Sequence, residues 1–488
     1  MTKKLYSESN FGDIADAIRD KGGEGEYTVA EMGDAIRNLA TSGDVLNGII
    51  EQYKATTTTI SANTFVEFVN GDIFNERVLG QETRIDSTFG SSGPYAIALG
   101  ERVFIAYSSS TNLYGIVYKI VDDEIVVDVP RTRLSSIYNN VESGLTATEI
   151  DSTHVLLTYA LNSTSLRCCV CSIGSTITLG SSVQLSSVSY LGATVTRLDD
   201  TRFFATYTAN DGTQNTLYGT VCIVSGTTIS VGTGVQLSTA AYSQSGACAV
   251  FLDTDKVLIA HRDDDNGSTV FVGAICTFNS TNITVGAPTQ LVAGNPSNSS
   301  GHAALIPLSN SKFVMLYQAT GSGTYGRLRG MFCSVSGTTI TGGTETQLSN
   351  TNMSGYCLSV ALLGVDENNA NRFKIFALHR SGYECKGMTI IGDGDTLTVE
   401  SDVTIAIGQS GDIPAKVGKT LVLIDNKLLC LYGNKVVDST LVSGAFGLVI
   451  TGGKTVRPSV SALDGLTAST CTTTTEGNVW VLDTDVSS

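Results

Sequence analysis

Charge is scarce in this chain: only 16% of its 488 residues are Asp, Glu, Lys or Arg, and they are scattered rather than blocked. Many short β-branched runs accompany that scarcity, which excludes a disordered polyelectrolyte. Basic residues are outnumbered, 30 against 46 acidic, for a net charge of −16. That balance excludes a nucleic acid partner held through phosphate contacts, and equally an anionic membrane surface. Long apolar runs are missing too. No segment approaches the ~20 residues needed to span a bilayer, and "MTKKLYSESNFGDIADAIRD" lacks the apolar core of an export signal. No membrane insertion is expected, and synthesis in a cytoplasm is.

Histidine is limited to His154, His261, His302 and His379, spread over separate parts of the chain. There is no HExxH, GxSxG or phosphate-binding glycine loop, and no cysteine has a histidine at a motif spacing. An enzyme, a metal centre and a bound cofactor are therefore not expected. The eleven cysteines are an odd number, and Cys171, Cys222, Cys276 and Cys333 recur at one place in a repeated apolar strand. Tyr118, Ile390 and Ile450 occupy that place elsewhere, so buried reduced thiols are expected rather than disulfides. "DDDNGSTV" from Asp263 keeps part of a sialidase Asp-box but lacks its Ser and Trp, and Asp263, Asp264 and Asp265 lack the spacing of a calcium loop.

What the chain does have is repetition. "VSGTTISVGTGVQLS" from Val224 returns as "VSGTTITGGTETQLS" from Val335, and weaker copies put Gln184, Gln236, Gln290 and Gln347 at spacings of 52, 54 and 57. Extending the register gives copies ending at Leu134 and Ile405 and a degenerate seventh, "FGLVITGGKTV". Each period holds four short alternating runs joined by turns, which is one antiparallel sheet. Seven such sheets, starting near Pro94, Leu145, Ala193, Ala247, His302, Tyr356 and Asp412, predict a mainly β protein: a seven-bladed β-propeller of four-stranded antiparallel blades. A glycine opening the third run (Gly115, Gly219, Gly273, Gly330, Gly387, Gly447; Cys168 in the second copy) predicts close approach between adjacent blades. The outer strands carry few charges and face solvent or a neighbouring subunit.

Equivalent positions of a radial fold lie on a circle. The second run of each blade ends in Tyr107, Tyr159, Tyr207, His261, Tyr317, His379 or Tyr432, a polar ring that either packs between blades or stacks on a sugar. His261 with Arg262, and His379 with Arg380, are expected to be its most exposed members. The variable loops that follow, with Tyr325 in one of them, are where recognition would sit.

The ends differ in kind. Residues 1–42 read as a helical hairpin: "TVAEMGDAIRNLA" opens with a Thr28–Glu31 capping box and lines up Val29, Met32, Ile36 and Leu39 on one face. "DVLNGIIEQY" reads as a possible third helix. Residues 43–80 then form a linker and a strand pair, 81–456 the propeller, and 457–488 strands that close the ring or join 55–80 in a small β module. "DIADAIRDKGGEGEYTVAEMGDAIRNL" resembles the N-terminal modules of tail and baseplate proteins from phages of Gram-positive bacteria, and "TISANTFVEFVNG" and "DGLTASTCTTTTEGNVWVL" resemble strands flanking their variable regions. The resemblance implies a virion structural protein, found in the tail or baseplate, that docks other tail or baseplate proteins through residues 1–42. It further implies a homo-oligomer, a trimer before other sizes, and a propeller that binds a host cell-surface glycan. A purely structural tail component and a polysaccharide-degrading propeller stay open as alternatives.

Overall fold

The computed structural model describes residues 2–5, 48–55, 65–69, 77–86, 94–109, 111–121, 124–136, 145–162, 164–187, 189–210, 215–238, 247–263, 270–292, 303–320, 326–351, 353–366, 369–407, 419–424, 427–437, 440–442, 445–452, 455–458 and 478–484. The chain divides into two units, one of Leu79–Ile450 and one of Met1–Val78 with Thr451–Ser488.

The larger unit is a seven-bladed β-propeller of four-stranded antiparallel blades. Its innermost strands are Tyr95–Leu99, Thr146–Asp151, Ser189–Arg197, Cys248–Asp253, Ala303–Ser309, Met353–Asp366 and Leu421–Ile424. Each neighbours the next, and the seventh returns to the first, where the Ala96 amide donates to the Lys419 carbonyl at 2.9 Å. Blade 3 shows the common plan: Ser189–Arg197, Arg202–Asn210, Asn215–Ser225, then an outer strand broken into Thr228–Val231 and Val235–Ser238. The break is a bulge around Gly232, whose amide still reaches the Val221 carbonyl at 2.8 Å. Gly180, Gly286 and Gly343 repeat it in blades 2, 4 and 5. In the hairpin turn before that strand, Gly226, Gly337 and Gly394 adopt φ near +60°, and Ser280 does the same in blade 4.

Blade 7 departs from the repeat. Its strands are Leu421–Ile424, Lys427–Tyr432 and Ala445–Gly452, but its outer place is filled by Arg77–Asp86 from before blade 1. Of the "GKTV" expected there, Thr455 and Val456 belong instead to Thr455–Pro458, a strand of the smaller unit. "TRI" at 83–85 matches "TRL" at 132–134, so the closing strand imitates a fourth run. Tyr118 of blade 1 fastens it by donating to the Ile85 carbonyl at 3.1 Å.

The apolar core is seven separate clusters, one in each seam between adjacent blades. Residues alternate along every second strand, so Phe203, Ala205 and Tyr207 face blade 2 while Phe204 faces blade 4. The recurring glycine lies where a seam is tightest. A Cβ on Gly330 would come within 2.7 Å of Leu397 of blade 6, and one on Gly219 within 2.6 Å of the Phe204 ring and 2.9 Å of Leu237 of its own blade. Gly219→Ala is expected to lose about 1–3 kcal/mol in urea unfolding by overpacking. Gly174→Ala, with no neighbour nearer than 4.0 Å, stays within about 0.5 kcal/mol of the parent. Equal losses for the two would refute the close approach.

A second, basic ring lies five residues before the polar one: Arg102, His154, Arg202, Lys256, Lys312, Lys374 and Lys427. Several members reach the next blade's turns. Arg202 bonds Asp199 (2.6 Å) in its own blade and Asp255 (3.2 Å) and the Ser280 carbonyl (3.2 Å) in the next; Lys312 reaches Asp395 (3.0 Å). Against the upward push of burial, Arg202 and nearby amides hold the Asp199 carboxyl at about 2. Lys374, fully buried, pairs with Glu400 of its own blade at 2.6 Å. These staples orient blades, but exposed pairs contribute at most about 1 kcal/mol each, against about 1.5–3 kcal/mol per buried seam side chain.

The smaller unit is a closed barrel in which Thr2–Leu5, Phe65–Val69, Thr455–Pro458, Gly48–Ala55 and Asn478–Thr484 follow one another around the ring. The helix expected in "DVLNGIIEQY" is therefore corrected. Gly48 opens a strand, and the β-branched pair Ile49 and Ile50 faces Asp483 and Leu482 in an antiparallel ladder. Thr2–Leu5 is likewise a strand. The rest of the expected helical hairpin, with Val29, Met32, Ile36 and Leu39, lies outside the described residues.

Candidate functional site

The polar ring forms, and it is closed. Tyr107, Tyr159, Tyr207, His261, Tyr317, His379 and Tyr432 are all buried, as is Arg262. The expectation that the two histidines and Arg262 stand exposed is corrected: His261 is 4% accessible, His379 0% and Arg262 2%. Each ring residue points into the seam with the preceding blade, so the two blades enclose it between them. Arg380 alone of that set is partly exposed, its Nε donating to the Gly382 carbonyl at 3.0 Å. Tyr325, Asp264 and Asp265 lie outside the described residues. Nine cysteines are free among the described residues and eight of them are buried.

The layer over the ring is partly exposed, except at Val272 and Phe446, which are buried. Across the ladder, the ring residues face Tyr114, Arg167, Tyr218, Val272, Arg329, Lys386 and Phe446 of the third strands. The fourth strand contributes the residue three before its apolar anchor: Arg131, Ser182, Gly234, Pro288, Glu345, Asp402 and, from the closing strand, Glu82. The apolar frame is constant and this polar position varies, although counting back from Leu134, Leu185, Leu237, Leu291, Leu348, Ile405 and Ile85 would have found it.

Blades 5 and 6 carry the richest chemistry. In blade 5, Arg329 pairs with Glu345 at 2.7 Å, while Arg327 donates to Gln347 (3.0 Å) and Gln347 to Asn350 (3.2 Å). Burial first, and the Glu345 carboxylate beside it, push the Tyr317 phenol well above its ordinary range. In blade 6, Asp402 lies 3.5 Å from both His379 Nε2 and Lys386 Nζ; Lys386 is 3.7 Å from Glu384, which accepts from the Thr404 hydroxyl at 3.2 Å. The His379 imidazole beside it, with Lys386 adding to the effect, holds the Asp402 carboxyl below the usual carboxylate value. Tyr383, 51% exposed, stands at the tip of the adjoining hairpin beside Gly382 (φ +59°). Elsewhere on the rim, Glu82 accepts from Tyr432 and Lys435 in blade 7, and Arg131 lies 3.7 Å over the Tyr114 ring in blade 1.

The fold and this rim together define a seven-bladed propeller with paired charges and aromatic side chains over a sealed ring. No protein-family model and no curated protein matches the chain. Among solved structures it is similar to the polysaccharide lyase Uly1 (9% identity, 82% of this chain and 99% of that one, TM-score 0.48). It is also similar to AofleA from Arthrobotrys oligospora (9% identity, 70% and 94%, TM-score 0.42) and the six-bladed fucose-recognising lectin of Aleuria aurantia (14% identity, 65% and 97%, TM-score 0.41).

Proposed function

We propose that this chain is a virion tail or baseplate protein whose propeller binds a host cell-surface glycan along the rim of blades 5 and 6. Residues 1–42 would join it to other tail or baseplate proteins, as part of a homo-oligomer. The observation that carries the glycan reading is the blade 6 cluster: Tyr383 stands exposed beside the Glu384, Lys386 and Asp402 network. Sugars are held by such sets, in which charged donors and acceptors take hydroxyl pairs and an aromatic face covers the C–H side. The N-terminal sequence pattern supports the tail assignment. Binding occurs without turnover in this reading.

The test is binding of the full chain to an array of saccharides from Gram-positive cell walls. Lys386→Ala and Tyr383→Ala are each expected to weaken binding about tenfold or more at unchanged Tm, as loss of a charged or stacked contact implies. Binding that survives both changes would remove the rim from the reading. Absence of any binding would leave a structural tail component, and release of shortened saccharides would make the chain an enzyme.

A further inference from the structure

At the level of the polar ring, the seam between blades 3 and 4 gathers four buried polar atoms without a partner among the described residues, on His261, Thr206 and Thr208, where His379 contributes two between blades 5 and 6. Alternation along the strands turns Thr206 and Thr208 of blade 3 and His261 of blade 4 into this seam, with Phe204 and Leu217 on one side and Val257 and Ile259 on the other. All three polar side chains are buried, at 1%, 0% and 4% accessibility. Yet both threonine hydroxyls and both imidazole nitrogens lack a hydrogen-bond partner among the described residues. Among the described residues of its own blade, Val272 and Pro288 hold the places that Lys386 and Asp402 hold around His379. Four orphaned polar atoms in one seam cost about 1–3 kcal/mol each if left dry, which a native fold does not sustain.

Five ring positions carry tyrosine, and histidine is smaller than tyrosine by roughly the volume of one water, ~30 Å³. We infer that this seam is an internal hydration site, binding one or two water molecules that bridge His261 to Thr206 and Thr208. Two hydroxyls, each donor and acceptor, and a neutral imidazole, one donor and one acceptor, match the three to four bonds a buried water makes. A charged guest is disfavoured, since the site has no charged side chain of its own among the described residues facing it.

Thr206→Val and Thr208→Val test this, because valine keeps the shape of threonine and removes only the hydroxyl. With water present, each change strips a partner from a bridged network, and Tm of the full chain should fall by roughly 1–3 °C. A rise in Tm in both variants would mean that the hydroxyls were unsatisfied and dry, which would overturn the inference. A crystal structure at 1.5 Å or better, an order-of-magnitude choice adequate to place ordered water, should show density between His261 and the two threonines. A dry seam there would overturn it independently.

Discussion

Ile85→Asp should be the most damaging single change in the propeller, lowering stability in urea unfolding by roughly 3 kcal/mol or more. Among the described residues the closing strand Arg77–Asp86 is the part of blade 7 that comes from before blade 1, and it shuts the ring on the outside as the Ala96 to Lys419 contact does on the inside. Ile85 plays the part of the repeat's apolar anchor: its Cδ1 lies 2.7 Å from where a Cβ on Gly447 would be, and Ile125 of blade 1 lies 2.9 Å from the same point. A carboxylate there meets an apolar seam and must be desolvated without a partner. Glu82, three residues earlier, would still accept from Tyr432 and Lys435, so the change tests the apolar splice rather than the polar rim. Limited proteolysis should find blade 7 opened first. An Ile85→Asp protein as stable as the parent would show that the ring does not depend on this strand.

The second large effect is with acid. Burial alone depresses the His261 imidazole to about 4, against about 6.5 for an unfolded chain. Between those values the unfolded chain takes up a proton that the folded one refuses. Stability is therefore whole above pH 6.5 and falls as pH drops from 6.5 to 4, by about 3 kcal/mol in total from this one group. Facing it are Thr206, Thr208, Phe204 and Leu217 of blade 3 and Val272 and Pro288 of its own blade, so no described carboxylate is set to stabilise the imidazolium. Arg262 next in sequence faces the opposite seam by strand alternation. The depressed carboxyls behave differently: Asp199 and Asp402 contribute stability above their ordinary values and lose it only below about 3.8. The two windows are separate. Urea unfolding between pH 7 and 4.5 should show a downward limb that His261→Phe removes; parallel curves for the two proteins would refute the assignment.

The repeat was legible because a blade is a local object. Four alternating runs, a glycine at the third and φ > 0 residues in the turns each follow from strand periodicity and hairpin geometry, and both act over a few residues. The glycine's role was legible for the same reason: it marks a place where nothing larger than hydrogen fits. The outer rim was not legible as a site, since Arg329 and Glu345, or Lys386 and Asp402, are sixteen residues apart and become neighbours only through strand register. Exposure of His261 and His379 was misjudged because a polar side chain at a strand end reads as solvent-facing in one blade, and its cover belongs to the preceding blade.

The closing strand and the barrel show the same division. Alone, the sequence determined seven sheets, their turns and the tight places between them, because hydrophobic alternation and glycine spacing are written within each period. Tertiary structure decided that Arg77–Asp86 completes the seventh blade, that Thr455–Pro458 leaves it, and that Gly48–Ala55 is a strand. Those outcomes rest on pairing between segments 350 or more residues apart, such as Glu82 with Tyr432. No local pattern encodes which of two competent strands fills a vacant edge. That choice is made by the fit of an anchor such as Ile85 into a seam that exists only once the ring has formed.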